Sequence, residues 1–455
     1  MLGDCQLKSI LSRIFRRPVL FDETGLSPQR IKSLRLVIWG ITFGTVCFNI
    51  TGVGGIAMTG YLKSLEVSDF VFGMLSAVTP AVGVVQILAS YIMERTRKRK
   101  LMFMLGGAAR MLWLPFGLVP FFVPMSALSL RIWILSLFLI LTAVGGQLVN
   151  ITYQSLLADI IPNGIRGSFL STRGRISTIM GILGGFLTAW LLDNVTGLSG
   201  YAFVFGLAAL LGSIDISMFF AVEFPPMPER QKKESMGSMI SDALKNKQFL
   251  GLAGYVTIWH FAINLSNPFY LVYTRMSLGL SNTTIMLIAQ ILPNICSVII
   301  LSRWGNMLDK RGIRHSMQLA GRLSSIAPLL WLFVTPGPMA VVLIIITYIS
   351  TGLLLPGMDV GAQTAILNRS PDKNRSMYIA VYHFITTLIG NALAHAVGGW
   401  LLDNPLMALE KMSMLAGLTF TRYNYLFLLT FILRMISAYI LLPRMISPDE
   451  SAVVS

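Results

Sequence analysis

From Leu36 to Met58 the chain runs without one charged residue, and eleven comparable apolar blocks follow it. A run of that length rises about 34 Å as an α-helix, enough to cross the roughly 30 Å hydrocarbon core of a bilayer. The blocks fall at about 36–58, 70–93, 101–124, 132–157, 170–192, 200–222, 251–274, 284–303, 317–335, 340–366, 377–402 and 424–443, and are numbered here as spans 1 to 12. They are continuous apolar runs, not ten-residue alternating segments, and a helix satisfies its own backbone, so helices are expected and a β-barrel is not. Only 12% of residues are charged, against roughly 25% in a soluble domain. The expected fold class is an all-α membrane protein with twelve transmembrane helices.

The net charge of +16 invites a nucleic-acid reading, but its distribution argues otherwise. With both termini on the cytoplasmic side, the inner segments hold 28 of the 36 Lys and Arg. That asymmetry is the positive-inside rule, so basicity reports orientation and no nucleic-acid partner is expected. Lys98, Arg99 and Lys100 are read the same way. Leu7, Ile10, Leu11, Ile14 and Phe15 form a helical stripe beside Lys8, Arg13, Arg16 and Arg17, which suits a helix lying on the cytoplasmic leaflet within residues 1–35. Three scattered cysteines imply neither a disulfide framework nor a metal site.

The pentapeptide Trp-Leu-Leu-Asp-Asn occurs at 190–194 and again at 400–404. At almost the same offset Gln154 lies over Gln363, Pro162 over Pro371 and Arg166 over Arg375. The loop containing Glu94 and Arg95 likewise lies over the one containing Asp309 and Lys310. The chain therefore divides into an inner segment 1–35, a six-span half 36–222, a linker 223–250 rich in Pro, Ser and charge, a second six-span half 251–443 and a tail 444–455. The pentapeptide itself reads as a ruler: its Trp sits at the outer interface and its Asp-Asn starts a turn.

Two six-helix halves joined by an inner linker resemble the major facilitator superfamily over essentially all of residues 34–445. The family's loop signature fits best in the second half, at Gly305, Asp309, Lys310, Gly312 and Arg314. In the first half it is degenerate, with Ser90 and Arg97 at the glycine positions and Glu94 and Arg95 retained. The resemblance implies that Glu94, Arg95, Asp309 and Lys310 latch the halves on the cytoplasmic side, with Asp159, Arg166 and Arg375 in support. It also implies two pseudo-symmetric bundles, a monomer, and a central cavity lined by spans 1, 4, 7 and 10.

Those four spans carry polar groups where polarity is expensive. Span 1 offers Asn49. Span 4 places Gln147, Asn150 and Gln154 on one face, and span 7 offers His260, Asn264 and Asn267, flanked by Trp259 and Tyr270, with a helix break expected at Pro268. Span 10 supplies Asp359 and Gln363. A carboxylate within a span is costly unless it meets water, a partner or a proton, so Asp359 is the first candidate for proton coupling and His260 the second. An ion pair of Asp359 with Arg322 or Arg110 is the competing reading.

The sequence contains no Walker A loop, no HExxH and no GxSxG elbow, so no enzyme, cofactor or metal is expected. The reading is a secondary transporter in a plasma or inner membrane, moving a small polar solute by alternating access, with protons as a possible partner. Amides and aromatics fit a sugar or glycoside. A multidrug exporter, or a transporter-like sensor or lipid mover, are the alternatives.

Overall fold

The computed structural model describes residues 27–445 apart from 97, 162–165, 226–235, 371–374 and 416–419. The expected N-terminal surface helix, the middle of the linker and the tail beyond Met445 lie outside the described residues. Among those described, the regular structure is helical, and eleven helices are long and apolar enough to cross a membrane.

Eleven is one fewer than the sequence blocks, because spans 8 and 9 are joined in one stretch, Asn282–Phe333, of 52 residues. As a straight helix that would be about 78 Å long, more than twice a bilayer core. The stretch turns at Gly312, with φ 80° and ψ 166°, a region essentially open to glycine alone. Span 1 is also interrupted. Pro28–Thr51 stops at Gly52 and the chain resumes helically at Ile56–Ser64. Span 7 breaks between Asn264 and Asn267, so Pro268 starts the second piece, where its missing N–H is not needed.

The ends of the bundle differ in packing. The end carrying residue 28, the linker and residue 445 is called the linker end, and the opposite one the far end. Each half has a similar aromatic knot near the far end. Tyr61 donates to the carbonyl of Phe116 at 2.8 Å and Tyr273 to that of Val334 at 2.6 Å, each beside a phenylalanine, Phe205 or Phe427. Both knots belong to a single core cluster that draws on both halves. Toward the linker end the cores separate: one around Phe103, Phe169 and Phe219 lies in the first half, and one around Phe249, Trp304 and Met317 in the second.

A charged pair joins spans 3 and 6 of the first half. Arg110 of span 3 forms an ion pair with Asp215 of span 6, whose side chain is 1% exposed. Span 1 makes room with glycines: a Cβ on Gly40 would lie 3.1 Å from the Asp215 carboxylate, and one on Gly44 would lie 3.2 Å from Arg110 Nη1. Replacing Asp215 by Ala strands the Arg110 charge and should cost about 3–5 kcal/mol. Thermal unfolding in detergent is expected to show a marked loss for Asp215→Ala and recovery of most of it in the Arg110→Met/Asp215→Leu double variant.

Candidate translocation site

Span 4 is the helix Leu128–Ile160 and span 10 the helix Pro338–Arg369. Each has a face of exposed apolar side chains suited to lipid, including Trp133, Leu137 and Leu141 in span 4 and Met339, Val342 and Ile346 in span 10. Asn150, Gln154, Asp359 and Gln363 are exposed too. Thirteen residues separate Leu137 from Asn150 and Ile346 from Asp359. At 3.6 residues per turn that is a rotation of about 220°, so these polar groups leave their helices away from the lipid face. An amide or carboxylate so placed borders water, since hydrocarbon offers it no partner.

The four residues are also symmetry mates. The 209-residue offset carries Asn150 onto Asp359 and Gln154 onto Gln363. Spans 4 and 10 thus carry two matching polar pairs on corresponding faces, one pair in each half. Gln147 is half-buried beneath its pair. Asp359 has no hydrogen bond or ion pair among the described residues; Arg110 is engaged by Asp215, and Arg322 lies 4.9 Å over the Tyr439 ring.

Span 7 contributes less than its sequence suggests. Asn264 donates to Asn391 of span 11 at 2.9 Å and to the His260 carbonyl at 2.9 Å, which makes it a brace between helices. His260 is half-buried against span 11, where a Cβ on Gly390 would come within 2.9 Å of it. Trp259 is 1% exposed, a core residue with the Arg434 guanidinium 5.2 Å over its ring. Tyr270 stacks on Phe427 at 4.6 Å and tilts against Trp331 at 4.7 Å. The aromatic platform expected from Trp259 and Tyr270 is therefore occupied by the protein's own side chains. Asn49 and Asn267 are exposed, and Asn49 lies against Gly181 of span 5.

At the linker end, Glu94, Arg95, Arg166 and Arg375 lie in helices with side chains outside the described set. Asp309 and Lys310 are exposed and make no hydrogen bond or ion pair among the described residues; Gly305 is half-buried, and Gly312 forms the corner. Asp159 accepts from Arg99 at 2.5 Å, and Arg99 also donates to Ser155 at 3.0 Å and to the Pro225 carbonyl at 2.8 Å. Arg99 is only 2% exposed, so this base braces the first half onto the linker in addition to contributing to orientation. Its place in a run of three basic residues gave no signal of that.

The far end is closed. Phe72 meets Phe269 edge-on across the halves at 5.7 Å, and Arg275 donates to Tyr201 at 2.8 Å. Spans 2 and 11 approach backbone to backbone: a Cβ on Gly73 would lie 3.1 Å from the Gly399 Cα. The buried core is shared between the halves at the far end and separate in each half toward the linker end.

A family model described as Major Facilitator Superfamily matches residues 39–395. Among solved structures, the chain is similar to the nucleoside transporter NupG (16% identity, 91% of this chain and 98% of that one, TM-score 0.64). It is also similar to a bacterial homolog of the human lysosomal transporter Spinster in an inward-facing, occupied conformation (15%, 95% and 100%, TM-score 0.69) and to a D-xylose-proton symporter (14%, 93% and 99%, TM-score 0.64). No curated protein matches the sequence.

Bracing and lining residues should respond differently to truncation. Asn264→Ala and Asn391→Ala should each lower stability by about 0.6 kcal/mol, and the double variant by little more than either alone, because the two share one bond. Asn150→Ala should leave the thermal unfolding curve unchanged.

Proposed function

This chain belongs to the major facilitator superfamily, and we propose that as a transporter of that family it moves a small hydroxyl-rich solute, coupled to protons, by alternating access. The observation that carries the reading is the set of four symmetry-related polar groups, Asn150, Gln154, Asp359 and Gln363, exposed on the non-lipid faces of spans 4 and 10. Three amides offer both donors and acceptors, which suits hydroxyl groups that can do either. Asn49 adds a fourth amide from span 1. A nucleoside and D-xylose, the solutes named for two of the structural neighbours, both have this chemistry.

Asp359 is the coupling residue in this reading. It is exposed and has no cationic partner among the described residues, so in this reading a proton and a solute reach it from the same side. His260, half-buried against span 11, is the second candidate. The linker end faces the cytoplasm, because the loops and termini there carry most of the basic residues. Glu94, Arg95, Asp309 and Lys310, with Asp159, Arg166 and Arg375, would close that end once the far end opens. The unpaired carboxylate also favours a second reading, export of a lipophilic cation.

Purified protein in proteoliposomes, given a panel of labelled monosaccharides, nucleosides and tetraphenylphosphonium under an imposed pH gradient, separates these readings. Uptake of a sugar or nucleoside above equilibrium is expected, with Asp359→Asn losing accumulation while retaining exchange of solute down its own gradient. Gln154→Ala or Gln363→Ala should raise KM about tenfold. Unchanged accumulation in Asp359→Asn would reject the coupling role, and movement of the cation alone would replace the solute reading.

A further inference from the structure

The pentapeptide shared by 190–194 and 400–404 does more than mark an offset. The helices Arg166–Asn194 and Ala394–Asp403 end within the pentapeptides, so both aspartates stand in the last turn of a helix. The asparagines act alike, Asn194 donating to the Trp190 carbonyl at 2.8 Å and Asn404 to that of Trp400 at 2.9 Å, which closes each helix on itself. The aspartates reach outward, each to the opposite half.

Asp193, at the end of span 5, accepts from Asn282 N at 2.8 Å, Asn282 Nδ2 at 2.7 Å and Thr283 N at 2.9 Å, at the start of span 8. Asp403, at the end of span 11, accepts from Phe70 N at 2.6 Å, at the start of span 2. Each receiving helix already has its own serine cap: Ser281 accepts from Thr284 N at 3.1 Å and Ser68 from Val71 N at 3.2 Å. A serine cap satisfies one N–H of the first turn and leaves the earlier ones without a helical partner. Asp193 takes both of those remaining groups and Asp403 takes one, where the positive end of the helix dipole also favours a carboxylate.

An arginine backs each contact. Arg275 donates to Asn282 Oδ1 at 2.6 Å and to Tyr201 at 2.8 Å. Arg422 lies 3.4 Å from Asp403 and 3.0 Å from Asp69, whose carboxylate also accepts from Tyr423 at 2.9 Å. The two caps stand on either side of the pseudo-twofold axis, one joining spans 5 and 8 and the other spans 11 and 2. Asp193 is exposed and Asp403 half-buried. When such contacts part, water can replace each partner, so they can break and re-form without stranding a buried charge.

We propose that Asp193 and Asp403 are a matched pair of far-end latches: each carboxylate caps a helix of the opposite half, and together they hold the far end shut while the linker end is open. Charge-assisted bonds to a helix terminus act only while the two halves are in contact. Removing either charge should therefore shift the closed-to-open population ratio of the far end by about tenfold. The two sites share no partner, so the shifts should multiply to about a hundredfold in the double variant.

Spin labels at Ser199 and Lys411, in a background with Cys5, Cys47 and Cys296 replaced by alanine, read the far-end separation by double electron–electron resonance whether or not the transported solute is known. The parent protein is expected to give one short distance. Asp193→Asn and Asp403→Asn should each add a longer population, and the double variant should make it prominent. Asn194→Ala/Asn404→Ala, which alters the same pentapeptides without touching the opposite half, should look like the parent. An unchanged distribution in the double aspartate variant, or an equal shift in the asparagine control, overturns the proposal. Should Asp403→Asn fail to assemble through its contact with Arg422, Asp193→Asn carries the test alone.

Discussion

Hydrocarbon offers no partner to a charge or an amide, and several polar groups inside the spans can be understood by where they find one. Arg110 finds Asp215, with two glycines of span 1 making the space. Asn264 finds Asn391. Many hydroxyls in the spans, such as Thr42 and Thr257, return to their own helix by donating to the carbonyl four residues back. Asn150, Gln154, Asp359 and Gln363 find no such partner on their own helices, and they are exposed on faces that lipid does not cover. In the proposed function, water between the halves hydrates them, and a space that hydrates four polar groups can hold a polar solute.

The duplicated architecture gives that space two walls of one design. Offsets close to the one that pairs Asn150 with Asp359 relate the tyrosine-to-carbonyl knots and the two aspartate caps. Symmetry of this kind lets one half rock against the other about a site that barely moves. It also explains why bonds across the halves collect at the far end here: the aromatic and backbone contacts there pack the halves together, and the caps add directionality at the rim.

Much of this was legible in the sequence, and what was not has physical reasons. The spans follow from apolar length, and the halves from the repeated pentapeptide. The polar faces of spans 4 and 10 follow from spacing, because a helix converts spacing into direction. Partners brought together only by tertiary packing were not legible. Nothing in the sequence joins Arg110 to Asp215 or distinguishes Arg99 from its two basic neighbours. Trp259 and Tyr270 looked available because an aromatic in a cavity-lining helix can turn either way; Arg434 and Phe427 turn them inward. The eleven helical stretches and the twelve apolar blocks differ only where Gly312 turns the chain between spans 8 and 9, and the helices of spans 5 and 11 end within the two pentapeptides.

The central claim is that the equivalent faces of spans 4 and 10 border one aqueous space, open at the linker end and sealed at the far end. Single cysteines at Asn150→Cys and Gln363→Cys, compared with the lipid-facing control Val298→Cys, can be alkylated by a membrane-impermeant maleimide in sealed vesicles of either orientation. The account predicts rapid labelling of both sites when reagent meets the linker end and slow labelling from the far end. Labelling no faster than at position 298, or equally fast from both sides, would contradict it.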